Sequence, residues 1–356
     1  SKHGLYVSPA NAHIDPVSAV DTAIITHGHA DHARAGHRHV IATEQTLAIM
    51  STRYGSNFAS SKTALTYNEQ FSIGNVGVRL IPAGHVLGSA QIVLEYAQTK
   101  IIAAGDYKRR WDPTCSSFQV EHCDVFITEA TFGLPIFSHP EPEDEIKKLM
   151  QARYLFPERS IVIGAYSLGK AQRLIALMRR AGYNETIFIH GAMKKLCELY
   201  QSFGIQLGSL KTTPIGKIDK QQISLANKFI IAPPSAMGTK WAQRLTDPLI
   251  VSASGWMQVR QRAKQGGVEL PLVISDHADW NDILRTIQEV KATEIWVTHG
   301  REDALIHACS KMGLSAKALS LMNSKKITSL CVYNKENKLK TIGVLHIHNI
   351  LQSNIS

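Results

Sequence analysis

The residues with the greatest potential for metal chemistry are concentrated in one short segment near the start of the chain. His27, His29, Asp31 and His32 occur within six consecutive positions, directly after an apolar run. Imidazole nitrogens and carboxylate oxygens are ligands for zinc, manganese and other divalent ions. A loop with this spacing can face two ions at once, so the segment predicts a metal centre.

Three further candidate ligands each follow an apolar segment elsewhere in the chain: His85, Asp106 and His299. An apolar run that stops at a polar residue is typical of a buried strand that presents a ligand at the edge of its sheet. A single histidine at a strand end is more often a neutral residue that donates to a nearby carbonyl. The complete set makes that interpretation very weak, and we expect all three residues to join the metal centre.

The segments that must position these residues are predicted to be short strands. Six apolar, β-branched segments lie before residue 131, at 21–27, 38–43, 76–85, 90–97, 100–106 and 124–130. Turns and polar clusters separate nearly all of them. A Pro-rich acidic break at 138–144 follows and is the best candidate for a domain boundary.

Beyond this break the chain changes to strand-loop-helix units. Strands at 160–166, 186–191 and 228–235 are predicted to precede helices at 171–182, 192–204 and around 239–245. Such units favour a small parallel sheet covered by helices. Strand endings return at 270–277 and 293–300, and helices are predicted at 302–313 and 315–323. We therefore expect one domain formed by residues 1–137 and 269–356, with residues 138–268 inserted as a second.

Composition limits the class of protein and its partners. A chain of 356 residues favours two domains, or one domain with a large insertion. The net charge of +10 favours a polyanionic partner without specifying one. There is no apolar run of about 18 residues, no secretory signal and no C-x-x-C among five scattered cysteines. These features predict a soluble cytoplasmic protein with reduced thiols.

The motifs resemble those of a known superfamily. The loop His27-x-His29-x-Asp31-His32, with His85 and Asp106, is similar to the motif set of the metallo-β-lactamases. Glu129, His277 and His299 resemble the three additional motifs of the β-CASP nucleases, in the family's order and flanking an insert of suitable length. The fold class implied is α/β, a metallo-β-lactamase αββα sandwich with an inserted α/β β-CASP domain.

The resemblance implies a site for two divalent metal ions, Zn²⁺ or Mn²⁺, that activate water for attack on a phosphodiester. One ion would be held by His27, His29, His85 and Asp106. The other would be held by Asp31, His32, Asp106 and His299, so that Asp106 bridges the two. Asp15 resembles an early aspartate of the superfamily that supports the ligand loop without binding metal.

Two further residues would complete the catalytic set with Asp106. His277 would protonate the leaving group or stabilise charge on the phosphate. Glu129 would orient His277 by accepting its other ring proton. Without the surrounding motifs, Glu129 would be an ordinary loop carboxylate as often as not.

Local phrases such as AGHVLGSAQ, AYSLGKAQR and SDHADW resemble the bacterial ligase-associated DNA exonucleases, relatives of the eukaryotic DNA cross-link repair nucleases. Repair nucleases of this type seat a terminal phosphate in a loop, which Ser167, Gly169 and Lys170 would form here. From the local pattern alone, a helix N-cap is an equal alternative. The resemblance implies a 5′ to 3′ exonuclease acting on single-stranded DNA with a 5′-phosphate end, in DNA repair beside a DNA ligase and a helicase.

Three alternatives stay open. The first is an RNA-processing β-CASP ribonuclease, endo or 5′ exo, because this chain keeps His299, as RNA-processing members do and eukaryotic repair enzymes often do not. The second, a small-thioester or lactam hydrolase, has no need of Glu129, His277 or the insert. The third, a catalytically silent nucleic-acid-binding subunit, would be expected to have lost several ligands.

Basic residues at 108–110 and at 260, 262 and 264 are candidates for contacts along a phosphate backbone.

Overall fold

The computed structural model describes residues 3–213 and 225–320, together with the backbone of 330–333 and 339–342. The chain divides into two compact units. The sandwich unit comprises Ser1–Trp111, Cys115–Ile136 and Trp280–Ser356, and the insert unit comprises Asp112–Thr114 and Phe137–Asp279. The predicted insert limit at residue 268 falls short of this second unit, because a strand at Leu270–Leu272 pairs within its sheet. His277 therefore belongs to the insert unit.

The elements of the two units follow one another along the chain. The first part of the sandwich unit contains β1 (Leu5–Val7), β2 (Ala12–Ile14), β3 (Thr22–Ile24), β4 (His37–Thr43), α1 (Glu44–Tyr54), β5 (Ala59–Leu65), β6 (Phe71–Ile73), β7 (Val76–Pro82), β8 (Ala90–Tyr96), β9 (Thr99–Ala103) and β10 (Val125–Ala130). The insert unit contains α2 (Pro142–Leu155), β11 (Ile161–Gly164), α3 (Lys170–Arg180), β12 (Ile187–Ile189), α4 (Lys194–Ser202), β13 (Leu210–Thr212), β14 (Phe229–Ala232), β15 (Leu249–Ala253), α5 (Arg260–Gln265) and β16 (Leu270–Leu272). The sandwich unit then continues with α6 (Trp280–Val290), β17 (Glu294–Gly300), α7 (Glu302–Lys311), β18 (Ser315–Ala318), β19 (Leu330–Tyr333) and β20 (Leu339–Ile342).

Two sheets of the sandwich unit pack face to face. Among the described residues, one sheet has the strand order β1-β2-β3-β4-β5 and the other β18-β17-β10-β9-β8-β7-β6. Apolar residues of both sheets, including Ile24, Leu80 and Trp296, form one core, as the alternation of side chains along a strand allows. On the outer faces, α1 packs Leu47 and Met50 against the first sheet, and α6 and α7 contact strands of the second. The layers are therefore α, β, β and α.

The insert unit contains a parallel sheet with the order β13-β12-β14-β11-β15-β16 among the described residues. Its central strands β11 and β14 are buried along their whole length, which is typical of parallel strands covered on both faces. The strand-loop-helix prediction is confirmed for α3 and α4. The third predicted helix, around 239–245, is wrong, because only a single 3₁₀ turn forms at Ala242–Arg244.

The end of the described chain also differs from the prediction. Residues 315–318 form β18, which pairs parallel with β17, instead of continuing the helical segment. The remainder of that predicted helix, at 321–323, lies outside the described residues. The six strands predicted before residue 131 are confirmed as β3, β4 and β7 to β10. The helices α1 and α2 were not predicted.

Two smaller findings bear on the compositional predictions. None of the described helices combines the length and the apolar character needed to cross a membrane. Cys115, Cys123, Cys197 and Cys309 are free thiols, and the side chain of Cys331 lies outside the described residues.

Candidate metal centre

The histidine-rich loop follows β3 and is held by Asp15, which follows β2. One carboxylate oxygen of Asp15 accepts the backbone N–H of Thr26 at 2.8 Å, and the other accepts the Thr26 hydroxyl at 2.6 Å. The second oxygen also accepts Nδ1–H of His32 at 2.8 Å. Because Nδ1 of His32 is a donor, its Nε2 is the nitrogen that presents a lone pair to a metal ion.

Four predicted ligands come together at one point. His27, His29, His85 and Asp106 each offer a ligand atom, and these atoms all lie within 4.8 Å of one another. Nδ1 of His29 is 3.0 Å from Nε2 of both His27 and His85. Oδ2 of Asp106 is 3.6 Å from Nε2 of His27 and 3.8 Å from Nε2 of His85. Three imidazoles and one carboxylate are a donor set that fits zinc or manganese.

The ligands predicted for the second ion are arranged more openly. Oδ2 of Asp106, the same oxygen that faces the first group, is 3.5 Å from Nε2 of His32. Oδ2 of Asp31 is 3.8 Å from the same nitrogen, and the Asp31 side chain is 76% exposed. The ring centroid of His299 is 5.5 Å from that of His32, and His299 is also exposed. Asp106 thus faces both groups, which is the placement that a bridging ligand needs.

The charges of the centre favour a bound cation. Burial opposes a positive charge on His32, but the carboxylates of Asp106, Asp15 and Asp31 outweigh it and raise the pKa of His32 to about 10. Burial, together with the nearby His32 and His85, lowers the pKa of His27 well below its ordinary value. The carboxylates thus favour positive charge beside His32, whereas His27 is kept neutral, the form in which an imidazole nitrogen can bind a divalent ion.

Two glycines next to ligands are required by close packing of the backbone. Gly84 precedes His85 with φ +72°, and a Cβ there would lie 2.3 Å from the carbonyl oxygen of Lys108. Gly300 follows His299 with φ +104°, and a Cβ there would lie 2.1 Å from the carbonyl oxygen of Ala130. Only glycine fits such positions without displacing the neighbouring chain. The loops that carry these ligands are therefore tightly defined.

Glu129 is buried on β10 and accepts the backbone N–H of Tyr107 at 2.7 Å. Tyr107 directly follows Asp106, so Glu129 fixes the chain that carries the shared carboxylate. The role predicted for Glu129, the orientation of His277, stays a prediction. Within the insert unit His277 is partly buried, and its backbone N–H donates to the Ser275 hydroxyl at 3.0 Å.

The predicted phosphate pocket has two of its donors engaged within the insert unit. The backbone N–H of Gly169 donates to Oε1 of Gln172 at 2.8 Å. The Lys170 ammonium, which is 3% exposed, donates to the Ile274 carbonyl at 2.7 Å and lies 3.0 Å from Oδ1 of Asp276. Ser167 is half-buried at the start of this turn. A phosphate bound here by all three residues stays a prediction, and the part played by Asp276 was not anticipated.

The basic residues after Asp106 also have protein partners. Lys108 is 1% exposed, and its ammonium is 3.5 Å from the His85 carbonyl, so the hypothesis that it tracks a nucleic-acid strand is wrong. Arg109 donates to Glu289 at 2.6 Å. By contrast, Arg260, Arg262 and Lys264 on α5 are exposed.

Comparison with known proteins gives several relatives but no matching family model. A protein named probable DNA ligase from Opitutus terrae is 25% identical over 328 residues, which are 91% of this chain and 31% of that protein. The endoribonuclease ysh-1 of Neurospora crassa is 30% identical over 233 residues, covering 52% of this chain and 27% of that protein. An RNase J-like protein of Methanocaldococcus jannaschii is 25% identical over 358 residues, covering 83% of this chain and 85% of that protein. The chain thus spans about a third or less of the first two relatives and most of the third.

A solved structure shares the fold. A protein of unknown function from Enterococcus faecalis superposes with a TM-score of 0.54 at 14% identity, over 84% of this chain and 78% of that one. The predicted fold class, an αββα sandwich with an α/β insert, is confirmed. The chain is thus similar in sequence to proteins named as nucleases, and its His/Asp cluster resembles that of the metallo-β-lactamase/β-CASP nucleases.

Proposed function

We propose that this protein is a two-metal phosphodiesterase that hydrolyses nucleic acid. The observation that carries the proposal is the convergence of His27, His29, His85 and Asp106 on one point from separate strand ends. Oδ2 of Asp106 also faces His32 at 3.5 Å, so one carboxylate oxygen is available to two ions. The net charge of +10 suits a polyanionic substrate.

Each residue of the site has a separate role in the proposed hydrolysis of a phosphodiester. Divalent ions held by the His/Asp cluster would supply Lewis acidity to the phosphate and a more acidic water. Asp15 holds His32 in the tautomer that presents Nε2. Glu129 fixes the chain after Asp106 through the Tyr107 N–H. His277 delivers a proton to the departing sugar oxygen, the step that general acid catalysis assigns to a positioned imidazole.

For substrate and direction, the finer proposal is that the enzyme is a 5′ to 3′ exonuclease. It would act on single-stranded DNA with a 5′-phosphate end, in DNA repair beside a DNA ligase and a helicase. The relative from Opitutus terrae supports DNA as the substrate, because a protein named probable DNA ligase contains a segment similar to 91% of this chain. The turn with Ser167 supports exonuclease action from a phosphate end, since a strand-turn-helix presents N–H groups to an anion.

A second candidate is an RNA-processing ribonuclease. The relatives from Neurospora crassa and Methanocaldococcus jannaschii are named as ribonucleases, and this chain keeps His299 close to His32. A silent nucleic-acid-binding subunit is disfavoured, because the cluster of four ligands is assembled and internally consistent.

The deciding experiment compares DNA and RNA oligonucleotides of the same sequence, each with a label at either end and with a 5′-phosphate or a 5′-hydroxyl. Wild type and Asp106→Ala are assayed with Mn²⁺ or Zn²⁺, and Asp21→Ala, an exposed aspartate paired with Arg38, serves as the control. Stepwise mononucleotide release from the 5′ end of DNA, lost only in Asp106→Ala, supports the finer proposal. Internal cuts or a strong preference for RNA support the ribonuclease instead. No hydrolysis of either polymer with either metal contradicts the phosphodiesterase.

A further inference from the structure

One cluster of four charged side chains is almost completely buried in the insert unit. Lys170, Arg173, Asp112 and Asp276 are 3%, 1%, 4% and 5% exposed. The Lys170 ammonium and Nη1 of Arg173 lie 3.0 and 3.3 Å from the same oxygen of Asp276. Nε of Arg173 lies 3.4 Å from Asp112. Two cations therefore balance two carboxylates, which is the condition under which charges are tolerated away from water.

The same two cations also hold the main chain that leads to His277. The Lys170 ammonium donates to the carbonyl of Ile274 at 2.7 Å, and Arg173 donates to the carbonyl of Ser275. The Ser275 hydroxyl accepts the N–H of His277 and donates to the carbonyl of His277, both at 3.0 Å. Each of the three residues before His277 is thus fixed by α3.

The contacts of Lys170 and Arg173 are directed at one segment of main chain, which a buried ion pair that only stabilises the core does not require. Buried ion pairs are a weak source of stability, because apolar side chains of similar volume often do as well. Here the donors of one helix turn are aimed at two successive carbonyls and at the carboxylate adjacent to His277. Lys170 is 3% exposed, and its ammonium contacts the Ile274 carbonyl and the Asp276 carboxylate. This engagement conflicts with a role as a ligand for a terminal phosphate.

We propose that Lys170 and Arg173 are positioning residues for His277, and that Lys170 does not bind the terminal phosphate. This inference rests on the proposed function, in which His277 delivers the proton to the leaving group. The first turn of α3 then acts on the rate of the chemical step through the segment 274–276. Recognition of the substrate end is left to other groups.

The test separates turnover from substrate binding. Lys170→Met keeps the length of the side chain and removes its charge and donors, whereas Lys170→Arg keeps both. Lys194→Ala is the control, since Lys194 is an exposed lysine on α4 paired with Glu198 at 3.7 Å. Steady-state kcat and KM are measured for each variant on oligonucleotides with a 5′-phosphate and with a 5′-hydroxyl.

Positioning predicts that Lys170→Met lowers kcat about 10²-fold, the cost of a small misplacement of a catalytic group. KM and the ratio of rates on the two substrate ends stay unchanged, and Lys170→Arg recovers part of kcat. The inference is overturned if Lys170→Met raises KM only for the 5′-phosphate substrate and leaves turnover of the 5′-hydroxyl substrate intact.

A folding control keeps the test decisive. Circular dichroism and thermal unfolding report whether the insert unit of each variant folds. If Lys170→Met does not fold, Arg173→Lys decides, because it keeps the charge and removes the guanidinium donor to the Ser275 carbonyl. A fall in kcat at constant KM in folded Arg173→Lys supports positioning, and an unchanged kcat contradicts it. A wild-type protein without nuclease activity would instead contradict the proposed function itself.

Discussion

Nδ1–H of His32 donates to Oδ2 of Asp15 at 2.8 Å, and Nε2 of the same ring lies 3.5 Å from Asp106. The Asp15 carboxylate thus selects the tautomer of His32, and the Asp106 carboxylate lies beside the nitrogen that can bind a metal ion. Asp15 also accepts two hydrogen bonds from Thr26 at the start of the histidine-rich loop. The orientation of His32 in the candidate metal centre therefore depends on Asp15.

Asp15→Asn tests this dependence. Asp15 has φ +42°, a conformation that asparagine tolerates, so the backbone is retained. One carboxylate oxygen is replaced by an amide nitrogen, which donates and cannot accept Nδ1–H of His32. We expect metal affinity to fall about 10- to 100-fold, the usual effect of removing a hydrogen-bond partner of a ligand. Competition with a chromophoric chelator measures it. The exposed Asp21→Asn is the matched control, and equal affinities in the two variants would contradict the prediction.

Gly84→Ala should disturb the chain around His85. The substitution places Cβ 2.3 Å from the Lys108 carbonyl at a φ of +72°. We expect a loss of about 1–3 kcal/mol in the free energy of unfolding, the cost of a strained backbone, and weaker metal binding. Gly55→Ala is the control, because Gly55 has φ +85° but nothing within 4 Å of its Cβ position. Urea denaturation compares the two, and equal losses would show that the close contact is unimportant.

Glu121 should make the sandwich unit sensitive to acid. Hydrogen bonds from Arg79, opposed by burial and assisted by Lys100, lower the pKa of Glu121 from 4.5 to about 2. Because the folded-state pKa is depressed, the stabilisation is complete above about pH 4.5 and is lost as the pH falls toward 2. Its full size is at most about 3 kcal/mol.

Glu121→Gln checks this window. The difference in unfolding free energy between wild type and the variant is expected to be largest near neutral pH and to shrink between pH 4.5 and 2. Denaturant titrations at several pH values measure it. A difference that stays constant across that window would contradict the linkage.

Arg260, Arg262 and Lys264 are exposed on α5 and stay candidates for contacts with a phosphate backbone. If each contacts one phosphate, the double variant Arg260→Ala/Lys264→Ala lowers the slope of log affinity against log salt by about 2. Fluorescence anisotropy with a labelled oligonucleotide measures the slope. Lys194→Ala/Lys195→Ala on α4 is the control, and identical slopes for the two double variants would exclude Arg260 and Lys264 from the binding surface.

Local sequence order points to three of the candidate ligands, because His85, Asp106 and His299 each end an apolar run. His85 and Asp106 follow the buried strands β7 and β9, and this local order alone places them at a sheet edge. The sequence could not show that Asp276 takes the ammonium of Lys170, because the two residues are far apart in the chain and only the insert sheet brings them together.

The helix predictions around 239–245 and at 315–318 were wrong for a similar reason. Short segments form helices only when tertiary packing supports them, and residues 315–318 instead pair with β17 as a parallel strand. The two missed helices did carry local signals. The Thr43 side chain accepts the N–H of Thr46 at the start of α1, and Pro142 with three acidic residues begins α2, both common features of helix N-termini.

Metal-dependent hydrolysis of nucleic acid by wild type and by Asp106→Asn tests the central claim most directly. The variant keeps the shape of the side chain and removes the charge that faces His27, His32 and His85. We predict that a chelator abolishes hydrolysis by wild type, that Mn²⁺ or Zn²⁺ restores it, and that the variant stays inactive at every metal concentration. Equal rates for the two proteins, or hydrolysis that persists in the chelator, would contradict the account.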